Sequence, residues 1–313
     1  MGIIKAVCIS EKKGTAKRDV GSCRLIEDWG MENDAHAGKW HRQVSLLSYD
    51  EVEKFRARGA TVEDGAFGEN LLVEGFDFKS FPIGTIFKCG DVLLEMTQIG
   101  KECHSDCAIR KMVGDCIMPR EGVFAVVLRG GVVSNGDELT VVEKNGYKAA
   151  VLVSSDKGSK GEREDKSGPA AATELKAAGY EVTETVIVPD EEEEIYKELV
   201  RFVDESKVDL VITSGGTGLS KRDCTPEATM RAGEKNVPGI AEAIRYNSLQ
   251  ITSRAMLSRA VSVIRGHSLI VNLPGSPKAV KECLDYLLPT LAHGMGILTG
   301  REGECARTDD NTK

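Results

Sequence analysis

Three glycines and two aspartates in the second half of the chain are the residues best suited to chemistry. Residues 214–218 read Ser-Gly-Gly-Thr-Gly and directly follow the apolar stretch at 208–213. Glycines in a turn let backbone amides face an anion closely, because no Cβ stands in the way. A tight strand-to-loop turn explains the glycines equally well. The turn matches neither the phosphate loop that ends in Gly-Lys-Ser/Thr nor the spaced dinucleotide pattern.

Asp223 and Asp190 are candidate ligands of Mg²⁺. A carboxylate beside a phosphate-binding turn repels the substrate unless a cation lies between them, and Mg²⁺ commonly takes one or two carboxylates together with phosphate oxygens. Thr225 is the expected cap of the next helix, so capping does not explain Asp223. The alternative for Asp223 is a solvated loop aspartate paired with Lys221 or Arg222. Asp190 suits the N-cap of a helix over residues 191–205, with Glu193 completing a capping box, and this structural role stays open beside the metal role. We expect the two strands that precede these loops to be neighbours, which brings both carboxylates to one sheet edge.

The elements that must position these residues begin near residue 147. Apolar strands alternate with helices in the order βαβαβ, which predicts a mostly parallel sheet with helices on both faces. A helix near residues 238–250, a hairpin with Gly266 in its turn and a helix over 277–298 follow. The carboxyl ends of parallel strands then carry the glycine turn.

Five motifs in this half occur in the order and spacing of a known family. They are Val153-Ser154-Ser155-Asp156, Asp165-Lys166-Ser167-Gly168, residues 213–229, Leu257-Ser258-Arg259 and Asn272-Leu273-Pro274-Gly275-Ser276-Pro277. On these motifs the region resembles the molybdopterin-binding family, which includes bacterial molybdopterin adenylyltransferases and the G domain of gephyrin. The resemblance implies a three-layer α/β domain over residues 148–300, usually a trimer.

The resemblance also implies a reaction and its residues. The terminal phosphate of molybdopterin attacks the α-phosphorus of ATP and releases pyrophosphate, with Mg²⁺ as cofactor and no need for pyridoxal phosphate. Asp190 and Asp223 are the implied catalytic residues and the implied Mg²⁺ ligands. The implied binding residues for substrate and nucleotide are Ser155, Asp156, Asp165, Ser167, Gly168, Ser214, Gly215, Gly216, Thr217, Gly218, Ser258, Arg259, Pro274, Gly275 and Ser276.

The first 144 residues read as short strands separated by turns. The expected strands lie near the start and at residues 42–48, 68–75, 85–99 and 123–131. A single helix is expected over residues 48–59, with Ser48 and Glu51 placed as a capping box. The pattern predicts a mostly-β, barrel-like domain.

A cluster of cysteines in this half has three explanations. The chain has nine cysteines, an odd number that favours reduced thiols over a disulfide scaffold. The first explanation is that Cys103, Cys107 and Cys116 are buried as small apolar groups. The second is that they bind zinc together with His104, although their spacing lacks the paired geometry of common zinc sites. The third explanation is a reactive thiol, its pKa lowered by Lys101 or Arg110.

Five short stretches of the first half match a second family. They lie at residues 33–38, 42–45, 67–71, 84–85 and 90–91. On these stretches residues 1–144 resemble the MOSC domain, the C-terminal type of molybdenum cofactor sulfurase. The resemblance implies a β-barrel that binds the cofactor or carries sulfur on a cysteine. Cys103 aligns best, without the usual preceding proline and arginine, and Cys107 and Cys116 stay open. His36 and Arg42 are the expected contacts to a pterin phosphate, with a surface-strand role as the alternative.

Composition limits the remaining classes of function. A formal net charge of −8 argues against a broad electropositive surface for duplex nucleic acid. No apolar run is long enough to span a bilayer, so we expect a cytoplasmic protein with no membrane partner. Two domains are expected, followed by a polar tail at 301–313.

The two resemblances together predict an enzyme of molybdenum cofactor biosynthesis. Its partners would be molybdopterin, ATP and other proteins of that synthesis, and it would form a homotrimer or higher homo-oligomer. One alternative is a non-catalytic carrier or store of molybdopterin or the cofactor. A scaffold of the gephyrin kind is a further alternative, which the lack of a long interaction linker disfavours.

Overall fold

In a computed structural model of the 313-residue chain, residues 1–101 and 116–301 are described. The chain divides into two compact units between Val142 and Glu143. The first unit is mostly β and the second alternates strands with helices. No helix in the described ranges is long and apolar enough to cross a membrane.

The described part of the first unit contains a closed barrel of seven strands. The described strands of this unit are β1 (Gly2–Ile9), β2 (Arg18–Asp19), β3 (Ser22–Ile26), β4 (Gly30–Met31), β5 (Val44–Ser48), β6 (Leu71–Glu74), β7 (Ile86–Cys89), β8 (Val92–Ile99), β9 (Val123–Arg129), β10 (Gly131–Ser134) and β11 (Glu138–Val141). The order around the barrel is β11, β7, β8, β9, β5, β6 and β1, and β1 pairs back with β11. The barrel confirms the expected mostly-β fold.

The helices in the described part of the first unit are α1 (Tyr49–Arg56) and α2 (Met118–Glu121), with a 3₁₀ turn at Phe78–Ser80. The capping box predicted for α1 is wrong. Ser48 ends strand β5 and its side chain makes no cap hydrogen bond, while Glu51 pairs with Lys54 at 2.7 Å. Helix α1 is instead held by burial of Val52 and Phe55 against the barrel.

The second unit is built on a six-stranded, mostly parallel sheet. Its strands are β12 (Lys148–Ser154), β13 (Glu181–Val188), β14 (Leu210–Ser214), β15 (Lys235–Asn236), β16 (Ser262–Arg265) and β17 (Ser268–Leu273). Their order in the sheet is β13, β12, β14, β17, β16 and β15. The first four strands in this order are parallel to one another, whereas β16 is antiparallel to β17, and β15 is antiparallel to β16. The helices are α3 (Asp156–Ser159), α4 (Ser167–Ala177), α5 (Glu192–Asp204), α6 (Thr225–Ala232), α7 (Pro238–Leu249) and α8 (Pro277–Leu298), with a 3₁₀ turn at Ser253–Leu257.

Alternating residues of strand β12 show that helices cover both faces of this sheet. Val151 packs in one core with residues of α4, α7 and α8. Its neighbour Leu152 packs in a second core with residues of α5 and α6. Because successive side chains of a strand point to opposite faces, the two cores lie on either side of the sheet. The predicted three-layer arrangement is therefore confirmed.

One prediction about strand order is wrong. Strand β12 lies between β13 and β14, so the strands that lead to Asp190 and to the glycine turn are not neighbours. The chain adds β13 on one side of β12 and then returns to place β14 on the other side. This reversal creates a topological switch point at the carboxyl ends of β12 and β14, where open α/β sheets bind their ligands.

Candidate functional site

A cavity of about 610 Å³ opens at the carboxyl ends of β12 and β14. Ser154 and Ser155 from the end of β12, Ser214 and Gly215 from the end of β14, and Gly275 before α8 line it. Ser214 Oγ donates to the carbonyl of Pro274 at 3.1 Å, which ties the two loops together. The cavity is thus placed by the strand order and lined by small polar residues.

The other wall of this cavity is the segment 163–167, which includes Arg163 and Lys166. Asp165 shapes that wall, because its carboxylate accepts from Ser167 N at 2.9 Å, Ser167 Oγ at 2.8 Å and Gly168 N at 3.0 Å. These bonds satisfy the first amides of α4. Arg163 and Lys166 bring positive charge to the cavity. Neither residue was given a binding role from the sequence, although Lys166 lies within one of the motifs.

The glycine turn needs glycine for two reasons. Gly215 and Gly216 have left-handed φ values of +95° and +64°. A Cβ on Gly215 would lie 2.5 Å from the carbonyl oxygen of Ser154, and one on Gly216 would lie 2.2 Å from Thr225 Oγ1. Such a backbone leaves no room for a side chain at either position.

Three successive amides of this turn are available to a ligand. Gly215 N donates to the carbonyl of Leu273 at 3.2 Å. Within residues 1–101 and 116–301, the N–H groups of Gly216, Thr217 and Gly218 donate to no protein acceptor. Successive open amides in a glycine turn are able to donate hydrogen bonds to an anion.

A second cavity of about 260 Å³ lies on the other side of the same turn. Thr217 and Gly218 line it together with Ser258, Pro274 and the apolar Ile244 of α7. Residues 214 and 215 line the first cavity and residues 217 and 218 line the second. The glycine turn is therefore a wall shared by a polar cavity and a more apolar one.

Asp190 is held at the end of β12 rather than at a helix start. Ser154 Oγ donates to its Oδ1 at 2.5 Å, and Asp156 N donates to its Oδ2 at 3.0 Å. Asp190 N donates in return to Asp156 Oδ1 at 3.2 Å. The predicted N-cap role is wrong: Glu191 precedes α5, and Glu193 pairs with Arg231 instead of closing a capping box. The carboxylate already has donors on the β12 side.

Asp223 lies in the loop between the glycine turn and α6. Its Oδ2 accepts from Ser220 N at 3.2 Å. Cys224, not the predicted Thr225, is the N-cap of α6. Thr225 is the first helical residue, and its Oγ1 is buried with no hydrogen bond in the described part of the chain. Arg222 does not pair with Asp223, because its guanidinium binds Asp156.

Arg259 fixes the backbone of this loop. Its Nε donates to the carbonyl of Gly218 at 2.7 Å and its Nη2 donates to the carbonyl of Asp223 at 2.6 Å. The guanidinium also pairs with Glu227. Arg259 therefore holds the backbone of the loop in place at both residues.

Ser276 precedes α8 as its N-cap and makes no side-chain cap bond.

In the first unit, a buried carboxylate positions His36. Asp34 accepts from Lys17 Nζ, Asn70 Nδ2 and His36 N, each at 2.7 Å. His36 Nδ1 lies 3.2 Å from Asp34 Oδ1. Burial acts to raise the pKa of Asp34, but hydrogen bonds from His36 and Lys17 outweigh it and hold that pKa well below its usual range. The Lys17–Asp34–Asn70 cluster was not foreseen from the sequence.

Arg42 is held by two aromatic rings. Its guanidinium carbon lies 4.8 Å from the ring centre of Trp40 and 5.6 Å from that of Phe124. Its Nε is buried and has no hydrogen-bond partner among residues 1–101 and 116–301. The surface-strand alternative is wrong for both His36 and Arg42, since both lie between β4 and β5. A stacked guanidinium with an open donor suits an anion.

The three cysteine candidates divide between described and undescribed residues. Cys116 is 5% exposed and packs with Cys8 and Ile117 in a buried cluster, as the packing explanation expects. Cys103 and Cys107 lie outside the described residues, as do His104 and Arg110. In the described ranges, no group of three or more His, Cys, Asp or Glu side chains is placed to hold a metal ion.

Glu69 gives the first unit a pH dependence. Its carboxylate is fully buried and accepts from Gly65 N at 2.8 Å and Phe67 N at 3.0 Å, yet burial raises its pKa from 4.5 to about 7. A raised folded-state pKa stabilises the fold fully below pH 4.5, and this stabilisation is lost as the pH rises through 7. We expect the free energy of unfolding to fall by about 3 kcal/mol between pH 4.5 and 7.5.

Urea unfolding followed by tryptophan fluorescence measures this effect, because both tryptophans, Trp29 and Trp40, lie in the first unit. Glu69→Gln should flatten the pH dependence, and Glu63→Gln, at an exposed glutamate of the same loop, should leave it unchanged. An equal pH slope in Glu69→Gln and the parent would contradict the assignment.

Comparisons with known proteins agree with both resemblances. Residues 131–293 match the family described as a probable molybdopterin binding domain, and residues 33–140 match the MOSC domain. A molybdopterin adenylyltransferase of Helicobacter pylori strain J99 is 43% identical over 152 residues, 48% of this chain and 86% of that protein. The one of Escherichia coli K12 is 42% identical over 144 residues, 45% of this chain and 73% of that protein. A solved molybdopterin biosynthesis protein from Mycobacterium abscessus is 36% identical, covers 50% of this chain and 99% of its own, and has a TM-score of 0.48.

Proposed function

Because the chain belongs to the probable molybdopterin binding domain family, we propose that its second unit adenylylates molybdopterin with Mg-ATP. The relatives named above carry that activity in their names. The observation that carries the proposal is the glycine turn shared by two cavities, one polar and one more apolar. Two substrates bound on either side of one anion site meet at their phosphates, as nucleotidyl transfer requires.

The proposed reaction is the nucleotidyl transfer that the resemblance implies. A terminal phosphate oxygen of molybdopterin forms a bond to the α-phosphorus of ATP, and the bond from that phosphorus to the bridging oxygen of the β-phosphate breaks. Pyrophosphate leaves with the electron pair. The amides of Gly216, Thr217 and Gly218 hold phosphate oxygens at the turn, and Arg163 and Lys166 add positive charge in the polar cavity. Ser276 is a further phosphate donor in this proposal. Positioning and charge neutralisation are the protein's main contributions to such chemistry.

Asp190 and Asp223 fit a role as ligands of Mg²⁺. Each oxygen of Asp190 accepts one hydrogen bond and keeps a lone pair, since a carboxylate oxygen has two acceptor sites. Two carboxylates suit Mg²⁺, which is bound by one or two carboxylates plus phosphate oxygens and water. When bound there, Mg²⁺ neutralises charge on the triphosphate.

Pyrophosphate release from the purified chain tests the proposal. We expect release that requires molybdopterin, Mg²⁺ and ATP together, and that is lost in Asp223→Asn. Tight pterin binding without release would overturn the enzyme proposal and favour a carrier or store of molybdopterin. ATP cleavage that proceeds equally without the pterin would also contradict it.

For the first unit we propose binding of an anionic group of the molybdenum cofactor at Arg42 and His36. The support is the Arg42 guanidinium, which stacks on Trp40 and Phe124 and has a buried Nε without a partner in the described chain. His36, which precedes Arg42 in the segment between β4 and β5, is oriented by the buried Asp34. Sulfur carriage on Cys103 or Cys107 stays a prediction from the resemblance.

Arg42→Gln should weaken binding of molybdopterin to the first unit roughly 10- to 100-fold, the loss expected for one hydrogen bond to a charged group. Tryptophan fluorescence reports this binding directly, because Trp40 touches Arg42 and the second unit has no tryptophan. Arg24→Gln, at an exposed position of β3, is the matched control. If Arg42→Gln and the parent reach half-saturation at the same molybdopterin concentration, the assignment is contradicted.

We also propose a homotrimer or higher homo-oligomer, working beside other proteins of cofactor synthesis. Its support is an exposed apolar face on and after α7, where Tyr246 is 68% exposed, Ile251 53% and Met256 65%. Exposed apolar patches of this kind mark interaction surfaces. Sedimentation equilibrium that gives only the monomer mass at micromolar concentration would contradict this.

A further inference from the structure

Arg222 makes a set of contacts that neither the sequence motifs nor the proposed reaction assigns. Its Nε donates to Asp156 Oδ2 at 3.1 Å and its Nη2 donates to Asp156 Oδ1 at 2.9 Å. The same Nη2 lies 2.8 Å from Glu191 Oε1. Arg222 thus grips one carboxylate with two bonds and a second carboxylate with one.

These contacts join three loops that lie far apart in the chain. Asp156 follows β12 and Glu191 follows the end of β13, whereas Arg222 directly precedes Asp223 in the loop after β14. Asp156 is in turn bonded reciprocally to Asp190, N–H of each to the carboxylate of the other. A continuous path of hydrogen bonds therefore runs from the neighbour of Asp223 to the carboxylate of Asp190.

We propose that Arg222 is a positioning residue, which fixes Asp190 relative to Asp223 through Asp156. The proposal rests on the proposed function, because it takes these two aspartates as the Mg²⁺ ligands. A two-bond guanidinium–carboxylate pair fixes orientation as well as distance, and an ammonium group cannot reproduce it. Groups that hydrogen-bond to metal ligands and orient them have a strong influence on metal affinity.

Charge alone predicts the opposite result from positioning. Arg222 is a cation near several carboxylates, so its removal raises the local negative potential and should tighten binding of a divalent cation. Removal of a positioning contact should weaken that binding, because the two ligands are no longer held at the right separation. The direction of the change in affinity therefore separates the two roles.

The test is Mn²⁺ binding by electron paramagnetic resonance, with the full chain saturated by α,β-methylene ATP, which cannot be cleaved at the reacting bond. We expect Arg222→Gln and Arg222→Lys each to weaken Mn²⁺ binding about 10-fold, and to lower kcat for pyrophosphate release by about 10- to 100-fold. Arg231→Gln is the matched control, since Arg231 also pairs with two acidic side chains, Glu192 and Glu193. That control should match the parent in both measurements.

Two further results decide the proposal. Asp156→Asn combined with Arg222→Gln should be no worse than the poorer single variant, because both changes break one path. Losses that multiply in the double variant would overturn the proposal. Parent-like or tighter Mn²⁺ binding in Arg222→Gln would also overturn it, as would full activity in Arg222→Lys. Absence of Mn²⁺ binding by the parent would overturn it as well. Failure of the proposed function is distinguishable, since a parent that binds Mn²⁺ but releases no pyrophosphate refutes adenylylation alone.

Discussion

Replacing Asp190 by Asn will lower kcat for pterin-dependent pyrophosphate release on the order of 100- to 1000-fold, the loss typical of a group that stabilises developing charge. The amide has nearly the shape of the carboxylate, so the barrel and the sheet should be unaffected. It carries no charge for Mg²⁺, however, and its NH₂ group must face one of two donors, Ser154 Oγ or Asp156 N. We therefore expect a loss of both turnover and divalent-cation affinity.

A matched control for this variant is Asp285→Asn. Asp285 is an exposed aspartate on α8 that pairs with Lys281 at 2.9 Å, and exposed pairs of this kind contribute little to stability. In steady-state kinetics over a range of Mg²⁺ concentrations, the control should have the same kcat and the same Mg²⁺ dependence as the parent. Activity of Asp190→Asn within about 3-fold of the parent would contradict its role, since effects of a lost charged ligand are far larger.

Gly215→Ala will destabilise the second unit by about 3 kcal/mol and remove its activity. Left-handed φ costs a residue with a Cβ about 1–2 kcal/mol, and overlap in a packed site adds about 1–3 kcal/mol. The overlap here is severe, because the Cβ would lie 2.5 Å from the backbone carbonyl of Ser154, which cannot rotate away. Urea unfolding followed by far-UV circular dichroism measures the loss.

Gly266→Ala separates the two contributions. Gly266 has a φ of +56°, and a Cβ there would meet nothing within 4 Å. Its substitution should therefore cost only the backbone strain, about 1–2 kcal/mol, and leave pyrophosphate release intact. Equal stability losses in the two variants would show that close approach to Ser154 does not matter.

The glycine turn and most elements of the second unit could be predicted because they depend on local pattern. Apolar runs, helix periodicity and the Gly266 hairpin each depend on a few neighbouring residues. The placement of β13 and β14 on opposite sides of β12 could not be obtained in this way. The order of parallel strands depends on which side of β12 each crossover takes, and neighbouring residues do not specify that side.

The contacts that organise the site were the least predictable. Arg222 and Asp156 are 66 residues apart, and their pairing exists only because strand order brings two loops together. Local rules instead assigned Asp190 and Thr225 to helix caps, although the nearer donors around Asp190 come from the end of β12. The ion pair between Lys17 and Asp34 was also missed, because a buried ion pair produces no periodic pattern in the sequence.

The most direct test of the central claim follows the fate of the α-phosphate of ATP. The chain is incubated with molybdopterin, Mg²⁺ and ATP labelled at the α-phosphorus or, in a parallel reaction, at the γ-phosphorus. We predict that the α label moves to the pterin while the γ label appears only in pyrophosphate, and that Asp223→Asn transfers neither. Transfer of the γ label to the pterin, or no transfer of the α label by a chain that binds both substrates, would contradict adenylylation.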